Sequence, residues 1–236
     1  LSHRNPLSIL HQKNNWMHAR GARDAIDYVM SLPETDPLKI GLWGDSMSGA
    51  EVIVVAAIDH RVKAVIAQVP ACGDTLPSPD AEGRLFASIR ETFLHGDVSG
   101  TPETTFGPMP VVSFDQETFP SMLLPLTAYR WFIEYGGRYN TKWKNRVTHV
   151  DPAVPTRFNS VLCIPHIRSA LFMIVAFDDE MEGASSVVAR SAFEAAPEPK
   201  QLLEVDGGHF GVIHYPGPLF DQASEAQVKF LNAHLR

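Results

Sequence analysis

The chain has little of what metal centres, disulfide frameworks and membrane spans are built from. Its 236 residues include only two cysteines, Cys72 and Cys163, far apart and in no C-x-x-C arrangement. Neither a disulfide framework nor a zinc site is expected, and reduced, partly buried thiols are the plainer reading. No apolar run reaches the roughly 18 residues of a spanning helix, and no charged-then-apolar leader precedes Leu1. A membrane partner is therefore not expected, and the cytoplasm is the expected compartment. Positive charge is also in deficit, with 20 Lys and Arg against 27 Asp and Glu and a net charge of −7. That balance offers no basic footprint for nucleic acid. Among ten histidines there is no H-E-x-x-H frame, so no metal is expected, and no cofactor either. Internal repeats and low-complexity tracts are absent.

What remains is an ordinary globular composition, 44% apolar and 20% charged, long enough for one large α/β domain or a domain with an insertion. Ala22, Ala25, Ile26, Val29 and Met30 recur at helical spacing and stop at Pro33, which predicts a helix from about Trp16 to Leu32. A short apolar strand follows Asp36-Pro37, then an apolar helix to Ile58, then a strand from Val62 to Val69 ended by Pro70. This is the βαβ rhythm of a parallel sheet. From Ala71 to about Pro165 scattered prolines break it, and this stretch reads as an insertion. The aromatics Tyr129, Trp131, Phe132, Tyr135, Tyr139 and Trp143 in its second half either line a pocket or form the insertion's own small core. The rhythm returns with a strand at Ala170–Ala176, a helix at Ser185–Ala196, a strand at Gln201–Val205 and a closing helix from about Gln222 to Leu235. The expected organisation is thus a first core part over residues 1–70, a cap or insertion over 71–165, and a second core part over 166–236.

The most informative stretch is Gly44-Asp45-Ser46-Met47-Ser48-Gly49, set between Lys39-Ile40-Gly41-Leu42-Trp43 and the apolar run Ala50–Ile58. It reads as a nucleophile elbow, a strand turning abruptly into a helix with a serine at the apex. Such a turn brings strand and helix backbones close together, so small residues are needed two before and two after the serine. Gly44 and Ser48 meet that need, although glycine more often stands where Ser48 does.

A serine hydroxyl is a weak nucleophile near neutral pH unless a base takes its proton and a carboxylate orients that base. In open parallel sheets such groups gather at the carboxyl ends of strands. Three predicted strand ends carry Ser46, the Asp178-Asp179 pair and His209, in the chain order Ser, Asp, His. His209 is preferred because Gly207 and Gly208 allow a tight loop directly after the last strand, with His214 as the alternative. Asp179 is favoured over Asp178 as the acid, and Glu180 is a further candidate; a carboxylate here can also merely cap the next helix.

The chain resembles the α/β-hydrolase superfamily, and more narrowly its dienelactone-hydrolase-like and acetyl-xylan-esterase-like members. The resemblance rests on Ile40 to Gly49, Val62 to Pro70, Asp178-Asp179-Glu180-Met181 and Gly207-Gly208-His209-Phe210-Gly211. It implies a mostly parallel sheet flanked by helices, with a cap insertion between the strands ending near 70 and starting near 170. It implies Ser46 as nucleophile, His209 as base and then acid, Asp179 as its orienter, and the Met47 backbone N–H as one oxyanion-hole donor. The expected activity is hydrolysis of a small-molecule carboxylic ester or thioester through an acyl-serine. A peptidase, an acyl transferase, a lyase and a catalytically silent fold acting by binding are the alternatives. Several strands precede the elbow strand in that superfamily, whereas here only Ser2-His3-Arg4-Asn5 resembles one of them. The amino-terminal third of the usual fold is therefore expected to be absent, leaving the elbow strand at an apolar sheet edge unless the natural chain is longer, a partner or swapped strand or a second copy covers it, or residues 1 to 37 take a different path.

Overall fold

The computed structural model describes residues 11–139 and 141–236. In chain order its elements are β1 (Gln12–Lys13), α1 (Asn15–Met30), β2 (Ile40–Asp45), α2 (Met47–Ile58), β3 (Val62–Gln68), α3 (Arg84–His95), β4 (Thr105–Met109), α4 (Leu126–Ile133), β5 (Val147–Val150), β6 (Ala170–Ala176), α5 (Ser186–Glu194), β7 (Lys200–Val205) and α6 (Pro218–His234), with short 3₁₀ and π turns between some of them. They divide into two compact units. One holds Asn15–Gly96 with Pro155–Arg236, and the other holds Asp97–Val154 with residues 11–14.

The first unit is built on a parallel sheet in the order β2-β3-β6-β7. Its central strands are apolar without alternation because both of their faces are covered; all seven residues of β6 are buried. Helix α2 is buried from Gly49 through Ala57, which is why its sequence is apolar all round and not striped. On another face α6 sets Ala223 and Phe230 into a cluster with Ala64, Ile66, Phe172 and Ile174. Each large apolar side chain fully buried in this way contributes roughly 1.5–3 kcal/mol. Helix α1 is tied down by charge. Arg61 pairs with Asp27 of α1 and with Asp59, and Arg20 of α1 donates to the Thr92, Phe93 and Gly96 carbonyls at the end of α3.

The expected elements are present with modest shifts. The closing helix starts at Pro218 and not near Gln222, since a proline at the first helical position costs no hydrogen bond and presets the backbone. Helix α3 lies inside the proline-scattered stretch; Ile89 and Phe93, four apart, are buried on one face, and the helix counts with the sheet-bearing unit. Among the described residues β2 is hydrogen-bonded to β3 alone and forms the edge of the sheet. Trp43 is exposed there, and an apolar groove of about 310 Å³ runs between α1 and β2, lined by Ala25, Ile26, Val29, Ile40 and Leu42. The Ser2-His3-Arg4-Asn5 stretch lies outside the described residues.

The second unit carries a three-stranded sheet in the order β1-β5-β4, in which β1 runs parallel and β4 antiparallel to β5. Asn145 staples it, accepting from the Val111 and Val112 amides and donating to the Val112 carbonyl. Its aromatics pack on one another: Trp131 stacks on Tyr135, Tyr135 on Tyr139, and Phe132 lies against Trp143.

Candidate active site

The elbow is a strand-to-helix turn between β2 and α2. Ser46 adopts φ 55° and ψ −116°, a left-handed conformation that non-glycine residues rarely take and that costs about 1–3 kcal/mol. Its surroundings hold it there. The Ser46 amide donates to the Gln68 carbonyl at 2.9 Å, and the Ser46 carbonyl accepts from the Ala71 amide at 2.9 Å and from the Ala50 amide at 3.3 Å. The close approach that calls for small residues is visible at both flanks. A Cβ on Gly44 would stand 2.2 Å from the Ser48 carbonyl oxygen, and one on Gly49 would stand 3.1 Å from Pro70.

Ser48, where glycine is more usual, closes the turn. Its hydroxyl accepts from the Asp45 amide at 3.0 Å and donates to the Asp45 carbonyl at 2.8 Å. The Ser46 side chain makes no capping bond to α2, so its hydroxyl is not spent on the helix. Met47 is the first residue of α2, where N–H groups have no carbonyl one turn back to bond and the helix dipole favours negative charge.

Asp179 and His209 meet across the ends of β6 and β7. The His209 Nδ1 lies 2.8 Å from Asp179 Oδ2 and 3.0 Å from Oδ1, and both side chains are 2% exposed. A carboxylate accepts only, so Nδ1 carries the ring proton and Nε2 keeps its lone pair. Asp178 is exposed and contributes its amide to the Gly207 carbonyl. Glu180 reaches the same loop differently, with Oε2 accepting from the His209 backbone amide at 2.8 Å. His214 is exposed.

The elbow and the histidine pair share one electrostatic neighbourhood through Asp45, which lies within Coulombic reach of both His209 and Asp179. Asp45 is half-buried and accepts from Gln68 Nε2 at 2.8 Å. Gln68, itself buried, accepts in turn from Gln227 of α6. Burial pushes the Asp45 carboxyl up to about 6, with the Gln68 hydrogen bond and the His209 ring opposing that rise. Sequence reading passed over Asp45 and Gln68. Their signal was a lone amide ending the otherwise apolar run Ala64–Ala67, together with an acid directly before the serine.

Crossovers linking a parallel sheet, a strained serine at a strand-to-helix turn, and a carboxylate-bound histidine past the last strand make up one scaffold. The structure of the α/β hydrolase GrgF from a Penicillium species superposes with a TM-score of 0.63 at 23% identity, over 95% of this chain and 74% of that one. The chain has the α/β-hydrolase fold. Residues 17–75 of this hydrolase-fold chain match the acetyl xylan esterase (AXE1) family model, a match that spans the elbow. It is 26% identical over 218 residues to thiohydrolase aneE of Aspergillus aculeatus, covering 88% of this chain and 66% of the relative. It is 24% identical to a thiohydrolase of Eupenicillium brefeldianum, again over 88% of this chain and 66% of the relative. The chain thus spans about two thirds of the length of these relatives. No described helix is long and apolar enough to cross a membrane.

Proposed function

We propose that the chain hydrolyses small-molecule carboxylic esters or thioesters through an acyl-serine intermediate on Ser46. The observation that carries this reading is the Asp179–His209 pair on the same sheet end as a serine held in the elbow conformation. In the proposed cycle the His209 Nε2 lone pair takes the Ser46 proton as the hydroxyl oxygen attacks the carbonyl carbon. Asp179 holds the ring and stabilises the imidazolium that forms. The tetrahedral oxyanion sits at the head of α2, where the Met47 amide donates to it. Collapse expels the alcohol or thiol, which leaves with the proton returned from His209. Water then attacks the acyl-serine by the same proton route and releases the acid.

The likeness to two thiohydrolases supports proposing thioesters beside oxygen esters as substrates. Thiols leave readily as thiolates, so the acid role of His209 matters less for them than for alcohols. The two buried free thiols, Cys72 and Cys163, suit a reducing compartment, and the cytoplasm is the proposed setting.

The test is turnover of p-nitrophenyl acetate and an acetyl thioester, beside Ser46→Ala and His209→Ala variants. Loss in both variants, with fluorophosphonate labelling of Ser46 in the parent, supports the acyl-serine route. The competing reading, a silent hydrolase fold acting by binding, is motivated by β2 having, among the described residues, a strand neighbour on one side only. A well-folded parent that neither turns over nor labels selects it.

A further inference from the structure

Ser46 is gripped by one four-residue run at the end of β3 and the turn after it. Its amide donates to the Gln68 carbonyl at 2.9 Å, and its carbonyl accepts from the Ala71 amide at 2.9 Å. The Gln68 side chain adds a third hold one residue earlier, with Nε2 donating to Asp45 Oδ1 at 2.8 Å. Between the two ends of the run the backbone is strained. Val69 takes φ 37°, a left-handed conformation that is an outlier for a β-branched residue and persists only where the surroundings over-determine it. The Val69 amide is anchored on the Ile174 carbonyl of β6 at 2.8 Å, and the residue is buried. Gly49 of α2 leaves room for the run, since a Cβ there would stand 3.1 Å from Pro70 and 3.2 Å from the Gln68 carbonyl oxygen. Two strained residues, Ser46 and Val69, are thus locked together through Gln68.

The side-chain hold has a fixed polarity. Once ionised, the Asp45 carboxylate only accepts, so Gln68 turns its NH₂ group to Asp45 and its Oε1 away. That oxygen accepts from Nε2 of Gln227 on α6. Gln68 is 2% exposed, and a flipped amide there would set two acceptors face to face with little solvent to screen them. We propose that Gln68 is a positioning residue of the nucleophile, holding Ser46 in its elbow conformation, and that Gln227 acts through it by fixing which way its amide points. This rests on the acyl-serine reading. With the amide turned away, Asp45 loses its anchor and its backbone is free to rotate. Ser46 then loses part of what holds it at φ 55°, and its hydroxyl drifts from the attacking position.

The experiment replaces Gln227, half-buried on α6, by an isosteric acceptor, Gln227→Glu, and by a donor, Gln227→Lys, both at about pH 8. A carboxylate at this position has nothing to donate to Gln68 Oε1 and draws the NH₂ group towards itself, away from Asp45. Gln227→Glu is expected to lower kcat and the rate constant for fluorophosphonate labelling of Ser46 about tenfold, with KM for a p-nitrophenyl ester held within about twofold. Gln227→Lys is expected to keep kcat and labelling within about threefold of the parent. A packing role predicts the reverse order, because glutamate matches glutamine in shape and lysine does not. That reverse order, equal losses in the two variants, or an undiminished Gln227→Glu overturns the proposal. A second measurement follows amide hydrogen exchange at Ser46 by NMR. Exchange about tenfold faster in Gln227→Glu than in the parent, with the β6 amides unchanged, is the expected result, and an unchanged Ser46 rate overturns the proposal. Exchange reads the hold on the elbow without any turnover. A parent that never labels therefore counts against the acyl-serine reading alone, and exchange then decides on Gln68.

Discussion

Glu180 Oε2 accepts the backbone amide of His209 at 2.8 Å, one residue along the chain from the carboxylate that holds the His209 ring. Two adjacent acids thus grip one histidine at two places: Asp179 fixes the imidazole and Glu180 fixes the loop beneath it. A bond to a charged acceptor contributes roughly 1.5–3 kcal/mol, which sets the scale for what its loss does.

Glu180→Ala is expected to lower kcat/KM about tenfold or more, with most of the loss in kcat, because the histidine wanders from its working position. Glu180→Gln keeps a carbonyl acceptor and is expected to retain most of the activity. Steady-state kinetics on a p-nitrophenyl ester distinguish the two; equal losses in both variants count against a loop-anchoring role.

At the elbow, Gly44→Ala is expected to destabilise the protein by about 3 kcal/mol or more. The added Cβ meets backbone atoms of Ser48 that cannot swing aside. Ser48→Gly removes only the paired bonds to Asp45, and is expected to cost about 1–2 kcal/mol. Urea unfolding of the two variants beside the parent tests the order.

Ser46→Gly is expected to raise stability by about 1 kcal/mol while abolishing labelling and turnover. Glycine adopts φ 55° without the strain that serine bears there, a gain only partly offset by the greater freedom of glycine in the unfolded chain. An unfolding midpoint below that of the parent counts against strain at this position.

The Asp45 carboxyl predicts an unusual pH dependence of stability. Its value in the folded protein, about 6, lies above its ordinary value of 3.8, so between these pH values the folded state binds more protons than the unfolded one. Stability therefore falls as pH rises through this window, by an amount on the order of 1–3 kcal/mol from this group. Asp45→Asn removes the effect. The variant is expected to be more stable than the parent at pH 8 and to lose that advantage by pH 4, as read from urea titrations at the two pH values.

Arg20→Met is expected to cost about 2 kcal/mol. The guanidinium answers three carbonyls at the end of α3, and methionine keeps the apolar stem but none of the donors. Thermal unfolding reads the loss, and a shift below 1 °C counts against the capping role.

The sheet was legible in the sequence because its strands are short apolar runs bounded by turn residues, and α2 because after Ser48 nothing polar but Glu51 interrupts it. The elbow was legible because a close backbone approach admits few residue types, and Gly44 has no alternative to being glycine. Asp179 could be preferred over its neighbours only on loop position. The pairing with His209 depends on how the loops after β6 and β7 fold towards each other, which residue type alone does not encode. The same holds for Asp45 and Gln68, which lie 23 positions apart and meet only because β2 and β3 pair in that register. Helix α3 was hidden by its setting among prolines, and the start of α6 by a proline that belongs inside the helix.

The strand that ends at Ser46 is paired on one side only among the described residues, and on the proposed acyl-serine route this bears on how the protein loses function under stress. Openings of a sheet begin where a strand has a single neighbour, and they need far less free energy than global unfolding. Amide exchange should therefore be faster in β2 than in β6, even though the two strands lie in one sheet. The serine at the end of β2 is held through the Gln68 carbonyl and the Ala71 amide, so fraying of β2 disarms the site while the central strands stay intact. Mild heat or denaturant is expected to erase catalysis before the bulk fold gives way, which makes activity the earliest reporter of damage in this molecule.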